Sequence, residues 1–362
     1  MFTQRFLTSL FFLQMLLQLP SMAGEAHTWK RLLPEKLPDR IQASKEAYYD
    51  QVKAAGSGLS LMPHFLIVPT LQRWRPGSVV RVAFEEGSPE LHARIAEAAN
   101  RWVTTSGANV RFSFKDNAGN FRKWSSNDSA YAAEIRIRFT PERAVDAGYW
   151  SHVGRDSINR KIDGGGPGQA SMQFDSFHFE LPEDWDTVVL HEFGHALGFE
   201  HEHQNPEGGC DFRFLDDPGY IPTLENGVYT KDASGRRPGL YTFLNGEPNK
   251  WEKDRTDANL GQLKTSSAFV TGSFDKYSIM KYFFDAGMFV KGENSACYTR
   301  RDANLKLSPQ DIAGIKLAYP SQAAGIAFAN SLRTNTIGLL RSSSTATQEL
   351  KGSLDTQLKS AK

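Results

Sequence analysis

Residues 191–203 read His191-Glu192-Phe193-Gly194-His195-Ala196-Leu197-Gly198-Phe199-Glu200-His201-Glu202-His203, and four of the chain's 9 histidines fall within them. Asp184 or Asp186 can cap a helix that runs through Val188, Val189 and Leu190 into this stretch. On that helix His191 and His195 are four residues apart, so they project from one face and can share an ion. Glu192 points close to the same opening. Gly198 ends the helix, because glycine takes the left-handed conformation at little steric cost. The chain then turns back, and His201 can supply a third nitrogen. Three histidines leave a fourth position open for water, which is the arrangement of a catalytic rather than a structural zinc site. HExxH alone is a moderate signal; the extended HExxHxxGxxH is a strong one. His203 is expected beside the ligands or at the surface, since His201 already has the spacing of the third ligand.

The rest of the 362-residue chain constrains the setting. Its 42 Lys+Arg balance 41 Asp+Glu, a net charge of +1, so nothing points to nucleic acid as a partner. Met1 to Ala23 carries Arg5, an apolar run from Phe6 to Leu19 and a small-x-small Ser21-Met22-Ala23, the pattern of a cleaved secretory signal. That run falls short of the ~20 apolar residues needed to span a bilayer. No later segment reaches that length, and a secreted or periplasmic protein is expected. In an oxidising compartment the only two cysteines, Cys210 and Cys297, can pair. Residues 24–69 read as a leader or pro-segment with a short helix from Asp39 to Ala55, residues 70–320 as the catalytic domain, and 321–362 as a mobile tail with some helical tendency.

Within 70–320 the pattern alternates strand and helix. Val80 to Phe84, Val110 to Phe114, Ile135 to Phe139, Tyr149 to Gly154 and Gln169 to Phe174 read as strands. Ser88 and Pro89 open a helix whose Leu91, Ile95, Ala98, Ala99 and Trp102 share one face. This predicts an α+β domain with a twisted mixed sheet and packed helices. Gly164-Gly165-Gly166-Pro167-Gly168 lacks the Lys and Ser/Thr of a phosphate-binding loop and reads as a connection between strands.

With these residues in view, the sequence resembles the metzincin zinc endopeptidases. A second motif agrees: Phe274-Asp275-Lys276-Tyr277-Ser278-Ile279-Met280-Lys281-Tyr282, about 80 residues beyond His201. Metzincins place a methionine in a tight turn beneath the zinc histidines. Ser278-Ile279-Met280-x-Tyr282 and the glutamate after the third histidine resemble the astacin branch in particular. Three features depart from that branch: there are two cysteines instead of four, His203-Gln204-Asn205-Pro206 follows Glu202, and no segment matches the prosegment motif that places an aspartate on the zinc. The resemblance implies an upper subdomain with the sheet and two long helices, an irregular lower subdomain, and a zinc cleft between them. It implies one catalytic zinc on His191, His195 and His201, Glu192 as general base, Tyr282 as an extra donor and Met280 as the floor. The substrate is then a protein or peptide; from its position just before the zinc-motif segment, Gln169 to Phe174 is expected as the edge strand that receives the substrate backbone. Ser308-Pro309-Gln310-Asp311 opens the last helix of such a domain.

Three other readings fit the same residues. They are a zinc hydrolase of a non-protein amide of the cell-wall type, a silent zinc-containing binding protein, and a structural zinc with Cys210 as a fourth ligand. Oligomeric state has no signature in the sequence.

Overall fold

The structure, a computed structural model, describes residues 37–56, 67–247, 249–262, 273–300 and 303–359. The expected export signal lies outside these residues. Helices α1 (Asp39–Gly56) and α2 (Ile67–Gln72) come first, then β1 (Ser78–Phe84), α3 (Pro89–Ser106), β2 (Val110–Ser113), β3 (Ile135–Arg138), β4 (Tyr149–Ser151) and β5 (Met172–Phe174). Each strand lies where alternating apolar residues predicted it. They form one mixed sheet in the order β2-β1-β3-β5-β4, with β4 antiparallel to β5 and the other pairs parallel.

That order corrects one expectation. The segment 169–174 does not supply the sheet edge, because β5 is flanked by β3 and β4; the edge strand on that side is β4. Alternation along a strand reveals its two faces but not its neighbours.

The two faces are chemically different. Val82, Phe84, Ile135 and Ile137 join the main core beneath α3 and the metal-motif helix α4 (Trp185–Ala196). Ser88 caps α3 as expected, accepting from the Leu91 N–H at 3.3 Å, with Pro89 at its first position. On the other face Arg136 is fully buried and donates to the carbonyls of Ala133, Glu134, Ser157, Gly164 and Gln169. One guanidinium thereby satisfies the glycine-rich connection, whose buried carbonyls need donors.

Residues 321–362, expected as a mobile tail, carry two packed helices: α8 (Ala323–Ser342) and α9 (Gln348–Lys359). Arg333, Thr336, Ile337 and Leu340 bury one helical stripe of α8, and Leu350 and Leu354 follow at spacing four on α9. They form a second core with Ile41, Tyr48, Tyr49 and Val52 of α1. The apolar stripe is narrow and Ser/Thr-rich surroundings mask it in the composition. Tyr49 Oη also donates to the buried Asp156 at 2.5 Å, tying α1 to the sheet domain.

After α4 come a small hairpin, β6 (Thr223–Glu225) and β7 (Val228–Thr230), and the short helices α5 (Leu240–Asn245) and α6 (Lys253–Leu260). Their core gathers Phe212, Phe243, Trp251, Phe284 and Phe289 around a Cys210–Cys297 disulfide. Helix α7 (Pro309–Ala318) begins with Ser308 and Asp311 in a reciprocal capping box. Among the described residues no helix is long and apolar enough to cross a membrane.

Candidate metal centre

Helix α4 is held at its carbonyls by three aromatic donors. Trp102 Nε1 donates to the Leu190 carbonyl at 2.7 Å, Trp74 Nε1 to Ala196 at 2.7 Å and the Tyr319 hydroxyl to Leu197 at 2.6 Å. The last two satisfy carbonyls that a helix end leaves without intrahelical partners. Gly198 then takes φ +92°, and the chain reverses as expected. Asp184 is the N-cap residue without a side-chain cap bond, and Asp186 pairs instead with Arg101 at 2.7 Å.

The reversal brings ligand atoms of His191, His195 and His201 within 4.8 Å of one another. His195 Nε2 and His201 Nε2 are 3.1 Å apart. Two tetrahedral ligands ~2.0–2.1 Å from a shared zinc would lie about 3.3 Å apart, so the nitrogens fit such an ion. The outer ring nitrogens fix the tautomers. His191 Nδ1 is 2.8 Å from the Ile279 carbonyl and His195 Nδ1 is 2.7 Å from the Phe199 carbonyl. A carbonyl only accepts, so each Nδ1 carries the proton and each Nε2 keeps its lone pair for a metal. Glu192, 1% exposed, lies on the same helix.

Met280 lies under α4. A Cβ added at Gly194 would run into its Sδ and approach Trp102 to 3.0 Å, so this helix position must be glycine for the turn to seat. The turn is pinned by carboxylates. Asp311 accepts from Ser278 Oγ at 2.6 Å and the Ile279 N–H at 2.9 Å, and Ser308 Oγ donates to Asp275 at 2.5 Å. Glu202 accepts from the Asp275 N–H, while its own N–H donates to the Met280 carbonyl, both at 2.9 Å. Burial pushes the Glu202 carboxyl up to about 7. The same capping box that starts α7 thus fixes the strand of chain whose Ile279 carbonyl orients His191.

The Tyr282 ring lies 4.4 Å from that of His201 and 5.4 Å from that of His191, centre to centre. His203 is fully buried, stacked 4.9 Å from Tyr282, and its Nε2 is 2.8 Å from the Asn259 carbonyl. That nitrogen therefore donates to α6 and is not offered to a metal. Cys210 is bound to Cys297, which removes its thiolate from any ligand set.

No family model and no curated protein sequence matches the chain. Among solved structures the likeness is to myroilysin. One structure of it aligns with a TM-score of 0.50 and 24% identity over 69% of this chain and 97% of that one. A second aligns with a TM-score of 0.42 and 24% identity over 69% and 86%. The chain shares myroilysin's fold. The zincin-like architecture expected from the sequence is the one it adopts.

Sequence reasoning missed the carbonyls of Ile279 and Phe199, the need for Gly194 and the carboxylate network behind the turn. HEFGH did carry a signal for the second: a glycine in mid-helix is unfavourable by ~1 kcal/mol against alanine unless packing requires it.

Proposed function

We propose that the chain is an exported zinc endopeptidase of the metzincin type, with astacin-like features around Tyr282. The observation that carries this reading is the convergence of three imidazoles, two of them with tautomers set by carbonyls, beside a buried glutamate on the helix of the first two. Its fold likeness is to a metalloprotease, and the disulfide suits an oxidising compartment.

His191, His195 and His201 would hold the ion, which when bound supplies a Lewis acid and lowers the pKa of a coordinated water toward ~7. The Glu192 carboxylate accepts the proton of the attacking water and delivers it to the departing amide nitrogen. As the carbonyl oxygen gains charge, the Tyr282 hydroxyl is the additional donor that stabilises it. Met280 acts through packing, by setting the floor against Gly194. Among the described residues β4 is the end strand of the sheet, and its outer edge is the candidate rail for an extended peptide, which is how a cleft can grip a main chain of varied sequence.

A quenched peptide library incubated with purified mature protein tests this reading, with and without a chelator. Cleavage that the chelator abolishes and added zinc restores is expected. Chelator-insensitive cleavage, or none, overturns it. His201→Ala is expected to lose zinc affinity far more than His203→Ala.

A further inference from the structure

Between Met280 and Tyr282, both at the metal centre, the sequence places a lysine. Among the described residues Lys281 is the one lysine buried from solvent, at 2% exposed. Burying an amine is costly, because its donors give up water and its charged form loses hydration. The structure supplies those donors with partners. Nζ donates to the Tyr282 carbonyl at 2.9 Å and to Thr299 Oγ1 at 3.2 Å, and it lies 5.6 Å from the centre of the Phe284 ring. None of these three is a carboxylate. Burial pushes the amine down to about 7; Lys276 pushes it the same way and Asp275 opposes them. A neutral amine keeps two N–H donors, so both oxygen bonds survive loss of the proton.

Those bonds join two segments of the lower subdomain. Thr299 is buried and lies two residues beyond Cys297, whose disulfide ties that stretch to Cys210. The main chain of Lys281 is held as well. Its N–H donates to the Ser278 carbonyl at 3.1 Å, and its carbonyl accepts from Asn304 Nδ2 at 2.6 Å. The Tyr282 ring itself packs between imidazoles, 4.4 Å from His201 and 4.9 Å from His203, centre to centre. Stacking fixes the plane of the phenol, whereas the reach of its hydroxyl follows from where the main chain starts.

We propose that Lys281 is a positioning residue for Tyr282: its amine clamps the tyrosine's main chain to Thr299 and so holds the phenol in place beside the metal-binding histidines. The role rests on the peptidase reading above, in which the Tyr282 hydroxyl meets the developing oxyanion. A group used there must stay within about 0.5 Å of its productive place, and a displacement of about 1 Å is enough to lose most of its effect.

The test pairs Lys281→Met with Tyr282→Phe in a double-mutant cycle on peptide turnover by the zinc-loaded protein. Lys281→Met is expected to keep its zinc and its KM and to lower kcat by about tenfold or more, because a donor used in the transition state is displaced. In the Tyr282→Phe background the same change should alter kcat by less than about twofold, since the hydroxyl it places is already gone. Thr299→Val, which removes one acceptor of the amine and keeps the side-chain shape, should lower kcat in the same direction and serves if Lys281→Met does not fold. A second readout needs neither metal nor turnover, so it stands even if the protein proves not to be a peptidase. In histidine ring proton–carbon spectra of the metal-free protein, Lys281→Met or Thr299→Val should move the resonances of His201 and His203, which flank Tyr282. That of His92, stacked on Phe84 in the other core, should stay in place. An equal loss of kcat in both backgrounds, unaltered turnover in either Lys281→Met or Thr299→Val, or unmoved His201 and His203 resonances each overturns the proposal.

Discussion

Gly194 and Met280 form a contact whose energetics can be reversed in sign. Gly194→Ala gains helix propensity, worth ~0.8–1.0 kcal/mol in an isolated helix. Here the added methyl would meet Met280 Sδ and lie 3.0 Å from Trp102, both buried. Overpacking of this kind costs ~1–3 kcal/mol, which offsets the propensity gain and leaves a net loss of up to about 2 kcal/mol. Met280→Ala alone opens a cavity and costs ~2–5 kcal/mol. In that background the methyl at 194 enters space the sulfur has left, so Gly194→Ala should become neutral or stabilising by up to ~1 kcal/mol. The assay is urea unfolding of the wild type, both single variants and the double variant, all with metal removed, analysed as a cycle. A coupling above ~0.5 and up to ~3 kcal/mol is expected. If Gly194→Ala costs the same in both backgrounds within ~0.5 kcal/mol, the turn does not seat on the helix as described.

Replacing Cys210 and Cys297 by Ala, or reducing them, opens a loop of 87 residues. The chain-entropy relation gives a loss of about 4–5 kcal/mol, read as a lower Tm; an unchanged melt would contradict the linkage. Burial raises the Asp156 carboxyl from 3.8 to about 6, so the folded state holds this proton more tightly than the unfolded chain. Its contribution is complete below about pH 4 and is lost as pH rises through about 6, a fall of up to ~3 kcal/mol in denaturant stability. Asp156→Asn should flatten that segment of the profile, and an unaltered slope would exclude Asp156 as its source. Deleting residues 321–362 strips Ile337, Leu340, Leu350 and Leu354 from the α1 core. Each buried aliphatic contributes ~1.5–3 kcal/mol, so the truncated protein should aggregate or melt far lower; retention of the full Tm would refute the packing.

What the sequence disclosed follows from the range of the forces involved. The spacing of His191, His195, Gly198 and His201 reports local helix geometry, so the convergence of the three imidazoles was legible in the sequence. Ser88-Pro89 and Ser308 to Asp311 were legible for the same reason, since a cap depends on three or four adjacent residues. Strand positions could be read from alternation, but the place of β4 at the edge depends on pairing between segments over twenty residues apart, which no local pattern encodes. The second duty of Asp311, bonding the Ser278–Ile279 turn, is equally non-local. The tail misled because its apolar stripe is thin, and burial there is supplied by α1, far away in sequence.

The central claim is that three histidines hold a zinc whose hydrolytic use depends on Glu192. It is tested most directly by measuring zinc content and peptide turnover on the same preparation of Glu192→Gln. Zinc near one per chain with turnover reduced by about 10²–10⁴-fold is expected, because the ligands remain and only the proton acceptor is gone. Turnover close to wild type in the zinc-loaded variant would contradict it.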